Sequence, residues 1–241
     1  MVGWQILCWR FFMGVSHRHI FDEQLTELHD GVFRVGTMVE AALSEALQSI
    51  KLYDQAAVRK VVQNDQTINH EVQRLHDQAL LIIATQQPLA RDLRLVSVVL
   101  SLLPELERMG DYAATICKLQ ERIAATPNFV SVSAMPQPIP RLISELGQRT
   151  SEILHAGLEA LRQNDRSFAD RVTELDDVID HLYREMFEAT VKVSTTSPDM
   201  AAATIHLLTL AHNLERLGDR VTNLAEQIEY LITGKVVVLN H

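Results

Sequence analysis

The chain contains only two cysteines, Cys8 and Cys117, and they stand far apart without a Cys-x-x-Cys or Cys/His spacing. This scarcity argues against both a disulfide framework and a structural zinc site. The longest apolar runs, such as residues 95–103, fall well short of the roughly 18 residues that a membrane-spanning helix needs. We therefore expect a cytoplasmic protein that reaches a membrane only through partners.

Basic residues are also scarce, since 22 Lys and Arg face 31 Asp and Glu and give a net charge of −9. This balance argues against nucleic-acid binding, which needs a concentrated basic face. Aromatic residues make up 5% of the chain, with nine glycines and seven prolines. Apolar residues instead recur three and four positions apart, and no segment alternates as a strand would. The pattern predicts an all-α protein.

We predict six helices, at about 20–51, 54–86, 88–125, 141–163, 165–194 and 198–234. Pro88, Pro198 and the proline-rich stretch 127–140 fall at the breaks, where proline is tolerated. The domain organisation is then an N-terminal extension (1–17), a three-helix repeat (18–126), a linker (127–140) and a second three-helix repeat (141–235). The extension carries both tryptophans but has no basic start or cleavage site for a signal peptide. Either Met13 is the true start and the upstream residues are a misassigned extension, or the segment is an amphipathic arm.

A six-residue phrase occurs twice, as Leu106–Asp111 (LERMGD) and Leu214–Asp219 (LERLGD). Each copy holds two carboxylates four residues apart, which lie side by side on a helix and repel each other by about 0.2–0.5 kcal/mol. The glycine inside each copy costs about 1 kcal/mol relative to alanine in a helix. Repetition of so unfavourable an arrangement indicates a duplicated unit and a cationic partner for each copy.

The second and fifth predicted helices each place an aspartate in an otherwise apolar seam, Asp65 in the first half and Asp176 in the second. A carboxylate in a bundle seam is unfavourable unless it is paired or coordinated. The apolar members of the two seams are Val58, Val72 and Ala79, and Ala169 and Tyr183.

We predict two metal sites from these carboxylates, each formed where two neighbouring helices face each other. Oxygen ligands without His or Cys favour hard cations, so Mg, Mn or ferric iron fits better than zinc or copper. The first site carries one charge fewer and should bind more weakly. The competing interpretation is that Arg108 and Arg216 form surface ion pairs with the motif aspartates, which would contribute little. The two sets are Asp65, Asn69, Glu107 and Asp111, and Asp176, Asp180, Glu215 and Asp219.

Other reactive side chains give weaker signals. The histidines are expected to be solvated or core residues, and Cys117 a packed core residue. Phosphate loops, nucleophile elbows and catalytic triads are absent from the sequence, so we do not expect an enzyme. The histidines considered as ligands are His17, His19, His29, His206 and His212.

The chain resembles the PhoU family, on the strength of Glu107–Asp111 and Glu215–Asp219, which match the family's E(D)-x-x-x-D motif. Asp65 with Asn69, Asp176 with Asp180, and the segment 87–94 (QPLARDLR) add to the resemblance, which covers residues 18–234. The second half lacks a clear Asp-Leu-Arg counterpart after Pro198.

The resemblance implies two three-helix bundles, metal ions on the acidic motifs and often a homodimer. It also implies an adaptor between the ATPase of the phosphate ABC transporter and a sensor histidine kinase, which acts as a negative regulator of the phosphate-starvation response. The alternative is an iron-handling protein or a metal-dependent enzyme, because carboxylate-rich bundles can hold di-iron centres. The Glu-x-x-His pairs typical of such centres are absent from the two repeated motifs.

Overall fold

The computed structural model describes residues 3–51, 54–126 and 131–239, with residues 3–18 as backbone only. Within these ranges the chain is helical and contains no strand, which confirms the all-α prediction. Short 3-10 helices at Val132–Ala134 and Pro198–Met200 precede the fourth and sixth α-helices. The α-helices are α1 (Gly3–Lys51), α2 (Gln55–Gln86), α3 (Ala90–Ala124), α4 (Ile139–Gln163), α5 (Phe168–Thr196) and α6 (Ala201–Thr233).

Helix α1 begins at Gly3, well before the predicted start near residue 20. No proline occurs in the first 51 residues, so nothing in the extension interrupts the helix. The two interpretations of the extension stay predictions, because residues 1 and 2 and the side chains up to residue 18 lie outside the described part of the chain.

The helix ends follow local chemistry. Asp54 caps α2 by accepting hydrogen bonds from the backbone N–H groups of Ala56 (2.8 Å) and Ala57 (3.4 Å). Asn164 ends α4 in the left-handed conformation, with φ 51°. Gly234 ends α6 with φ 72°, and its N–H donates to the Tyr230 carbonyl at 2.8 Å.

Helices α1–α3 form one bundle and α4–α6 a second, and the bundles meet mainly where α3 packs against α6. Apolar residues three and four positions apart form a stripe along α3 and another along α6, and both stripes are buried in one continuous core. They comprise Val99, Leu102, Leu106, Met109, Ala113 and Ile116, and Leu207, Leu210, Leu214, Leu217, Val221 and Leu224.

Polar contacts show that α3 and α6 run antiparallel. Near the start of α3, Arg94 donates a hydrogen bond to the Leu231 carbonyl near the end of α6, at 3.3 Å. Further along α3, Glu105 accepts hydrogen bonds from Arg220 (3.3 Å) and Asn223 (2.8 Å). The two repeated phrases therefore lie alongside each other at the middle of the molecule.

None of the helices, over the ranges described, combines the length and the apolar character required to cross a bilayer.

Candidate metal centres

The first acidic cluster lies between α2 and α3. Burial and then the charge of Asp111 raise the pKa of Asp65, and Glu107 acts in the same direction, whereas Lys118 lowers it. These effects place the seam aspartate of α2 beside both carboxylates of the α3 motif. Asp111 itself is exposed and Glu107 half-buried, as expected for residues that flank the core stripe.

Two oxygens of the first cluster lack hydrogen-bond partners among the described residues. These are Oδ1 of Asp65 and Oδ1 of Asn69, both buried. Buried polar atoms are nearly always satisfied in folded proteins, so an unpartnered pair on successive turns of one helix indicates a missing partner.

The second cluster, between α5 and α6, is tighter. Asp180, Glu215 and Asp219 each offer one carboxylate oxygen, and these oxygens lie within 4.8 Å of one another. Oδ1 of Asp176 and Oε2 of Glu215 are buried without a hydrogen-bond partner in the described chain. The unpartnered Asp176 oxygen repeats that of Asp65 at the matching position.

Burial and mutual repulsion strongly perturb the second cluster. Burial, then Asp219, Asp180 and Asp177, raise the pKa of Asp176 to about 7. Burial, then Asp219, Asp180 and Asp176, likewise raise the pKa of Glu215 to about 7. The pKa values of Asp180 and Asp219 are also raised, chiefly by burial. The cluster thus resists full ionisation unless positive charge enters it.

The helix-interior glycines explain how the helices approach so closely. A Cβ atom on Gly218 would lie 3.0 Å from Ile179 Cδ1 and 3.3 Å from Asp176 Oδ1. On Gly110 it would lie 3.2 Å from Ile68 Cδ1. In each repeat the glycine makes room for the helix that carries the seam aspartate.

The motif arginines do not form the surface ion pairs of the competing interpretation. Arg108 donates a hydrogen bond to Glu105 at 2.9 Å, and Arg216 lies over the ring of Tyr112 at 5.2 Å. In the described ranges neither forms an ion pair with the aspartate three residues later. These arginines therefore contact other groups directly, although the charge of Arg216 still lowers the pKa values of Glu215 and Asp219.

The structure also places a histidine nitrogen beside the second cluster, which the sequence analysis did not predict. His212, expected to be a solvated or core histidine, has its Nδ1 3.1 Å from Oε2 of Glu215. Its ring lies 5.6 Å from that of Tyr183. Burial, followed by Arg216, lowers the pKa of His212, so the imidazole tends to be neutral. The three-residue spacing from His212 to Glu215 was the available signal.

The other reactive side chains lie apart from the clusters. His19 contacts Glu23 at 3.2 Å, and His29 packs edge-on against Phe33 at 4.7 Å. Cys117 is fully buried, which confirms the core prediction, and burial raises the pKa of its thiol to about 11. His17 lies outside the described side chains.

The arrangement can hold cations. Each cluster holds carboxylates from two helices and a buried, unpartnered aspartate oxygen, and such oxygens are the ligands of Mg, Mn and ferric iron. Within the described residues, only Asp180, Glu215 and Asp219 bring three carboxylate oxygens within 4.8 Å of one another. The residues present therefore fit the hard-cation prediction for the two sets.

The chain matches the PhoU domain family model twice, over residues 32–120 and 143–228. It is 32% identical over 226 residues to the Phosphate-specific transport system accessory protein PhoU of Escherichia coli, covering 91% of this chain and 89% of that protein. It is 29% identical over 224 residues to a homolog of that protein in Clostridium acetobutylicum, covering 92% and 99%.

Two crystal structures share the fold. PhoU from Pseudomonas aeruginosa superposes with a TM-score of 0.81 at 22% identity, covering 89% of this chain and all of that one. The phosphate transport system regulatory protein PhoU from Streptococcus pneumoniae superposes with a TM-score of 0.80 at 24% identity, covering 90% and 99%.

Proposed function

This chain belongs to the PhoU family, and from that premise we propose that it is an accessory and regulatory protein of phosphate transport that binds metal ions at its two acidic clusters. Its relatives are named as accessory and regulatory proteins, which supports a role without catalysis. We further propose that it links the transporter ATPase to a sensor histidine kinase, acts as a negative regulator of the phosphate-starvation response, and works in the cytoplasm as a homodimer.

One observation carries the metal-binding part of this proposal, namely the duplicated pair of buried, unpartnered aspartate oxygens, Oδ1 of Asp65 and of Asp176. When bound, cations would supply the positive charge that these clusters lack. Asp65 and Asn69 would then be held against α3, and Asp176 and Asp180 against α6. The protein's own residues thereby fix the spacing of two helix pairs and the shape of the surface above them.

The first experiment measures metal content per chain by elemental analysis of gently purified protein. Wild type is compared with Glu107→Ala/Asp111→Ala and with Glu215→Ala/Asp219→Ala. We expect Mg, Mn or Fe in the wild type and loss from one half in each variant. Metal at 100 times its Kd adds about 2.7 kcal/mol to stability, so chelation should lower the melting temperature. Metal-free wild-type protein with an unchanged melting temperature would overturn the metal-binding part.

The adaptor part is tested separately, by co-purification with the transporter ATPase and the kinase under phosphate-rich and phosphate-poor conditions. Binding to either partner supports the regulator. Failure to bind both under both conditions, together with turnover of a phosphoester, polyphosphate or ferrous iron that depends on Glu107 and Glu215, would favour the metal-dependent enzyme instead.

A further inference from the structure

His212 is the one histidine that the structure places against an acidic cluster, over the ranges with described side chains. Its ring is half-exposed, but Nδ1 is buried and turned towards Glu215. Both Nδ1 of His212 and Oε2 of Glu215 lack a hydrogen-bond partner in the described chain, although they are only 3.1 Å apart. The two atoms are close without being aligned as donor and acceptor.

This separation is what two ligands of one ion have. Ligand bonds of about 2.0–2.2 Å that meet at tetrahedral or octahedral angles place neighbouring ligand atoms roughly 3.0–3.5 Å apart. The ring of Tyr183 lies 5.6 Å from the imidazole and is tilted by 33° to it. His212 and Glu215 are therefore placed to share an ion. His212 adjoins the second cluster through Glu215, since the three ligand atoms that lie within 4.8 Å of one another are those of Asp180, Glu215 and Asp219.

The first repeat has no equivalent donor. The repeated phrases are offset by 108 residues, which puts Pro104 at the position of His212. The α2 and α5 seams are offset by 111 residues, which puts Val72 at the position of Tyr183. Oxygen is the only ligand type that the four predicted residues of the first cluster offer.

Resting on the proposed function, we propose that His212 supplies an imidazole nitrogen ligand that makes the second cluster selective for borderline transition-metal ions, such as Zn²⁺, over Mg²⁺. Imidazole suits Zn, Cu, Fe and Ni, whereas carboxylate and amide oxygens suit Mg, Ca and Mn. The two clusters of one chain would then hold different classes of ion. For the first cluster we keep the prediction of a hard cation.

The test isolates the second cluster in a Glu107→Ala/Asp111→Ala background and titrates it with Zn²⁺ and with Mg²⁺ by calorimetry. Adding His212→Gln should weaken Zn²⁺ binding by about tenfold or more and change Mg²⁺ binding by less than about twofold. His206→Gln, on the same helix, is the matched control and should change neither affinity. Unaltered circular dichroism in metal-free buffer shows that each variant folds.

A second measurement follows the Nδ1 atom of His212 directly. In ¹⁵N-labelled protein, Zn²⁺ should shift the Nδ1 resonance of His212, whereas Mg²⁺ at the same occupancy should leave it in place. A Zn²⁺ to Mg²⁺ affinity ratio unchanged by His212→Gln, or an unshifted Nδ1, would overturn this proposal while metal binding itself stands. If wild type binds neither ion in either half, the metal-binding part of the proposed function fails as well.

Discussion

The two acidic clusters occupy matching places in two repeats but hold different amounts of uncompensated charge. In the first, Asn69 stands where the second has Asp180, and Lys118 lowers the pKa of Asp65. In the second, the pKa values of Asp176 and Glu215 reach about 7. The two repeats place carboxylates at matching positions, but among the described residues only Asp180, Glu215 and Asp219 bring their carboxylate oxygens within 4.8 Å of one another. The second cluster is therefore both the tighter and the more strongly perturbed of the two.

The largest effect expected from this difference is a pH dependence of stability in chelator. Asp176 and Glu215 have pKa values of about 7 in the folded state, against about 4 in an unfolded chain. The folded protein therefore binds more protons between those values, and its free energy of unfolding falls as pH rises from about 4 to about 7. We expect a loss on the order of 3 kcal/mol, measured by urea unfolding at pH 5 and pH 8.

Saturating metal should flatten this profile, since bound cations compensate the same carboxylates. A stability that rises across this pH range in chelator would contradict the electrostatic difference between the clusters.

The second largest effect is expected when a single buried charge is removed from each repeat in turn. Asp176→Asn keeps the shape of the side chain and removes a buried charge, so it should raise the metal-free free energy of unfolding at pH 8 by on the order of 2 kcal/mol. Asp65→Asn should give a smaller gain, because Lys118 already acts on that carboxylate. Thermal melts in chelator measure both.

Glu188→Gln, at an exposed position of the same helix, controls for the loss of charge alone. Equal gains from Asp65→Asn and Asp176→Asn would show that the clusters are electrostatically alike.

A third prediction concerns the carboxylate that the first cluster lacks relative to the second. Asn69→Asp restores the missing carboxylate and should tighten Mg²⁺ binding by about fivefold to tenfold, a gain of about 1 kcal/mol. Calorimetry in a Glu215→Ala/Asp219→Ala background reports on the first cluster alone. Asn64→Asp adds the same charge at an exposed position of α2 and should have little effect. If the two variants bind Mg²⁺ equally, position 69 does not contribute a ligand.

The smallest effect is expected at Lys118. Lys118→Gln removes the positive charge that lowers the pKa of Asp65. Mg²⁺ binding at the first cluster should tighten by about twofold to threefold, because an exposed charge acts weakly through solvent. Exposed Lys192 of α5 provides the control substitution. An unchanged affinity would mean that Asn69 alone accounts for the weaker first cluster.

The fold was largely predictable because its signals are local. Apolar periodicity predicted the helices, and proline marked three of the five breaks between them, although Pro104 lies inside α3. An aspartate in an apolar seam predicted the centre of each cluster. The early start of α1 could not be predicted in this way. The composition of the chain changes near residue 17, but the helix continues through the change. Helix formation continues through such a change when no proline interrupts it.

The partners of the clusters were harder to predict because they depend on contacts between helices. The contact of His212 with Glu215 follows from their three-residue spacing, but its contact with Tyr183 depends on how α5 packs against α6. The same holds for Glu105, whose hydrogen bonds reach Arg220 and Asn223 in the other repeat. Spacing within one helix gives no information about such contacts.

The antiparallel packing of α3 against α6 also defines how the two repeats are related to each other. Two copies of one three-helix unit related by a two-fold axis would place the third helix of each against that of the other, antiparallel, as an isologous interface. The present chain holds that arrangement within a single polypeptide. Because both repeats belong to one polypeptide, each cluster can carry its own residues, as Asn69 and Asp180 do at matching positions.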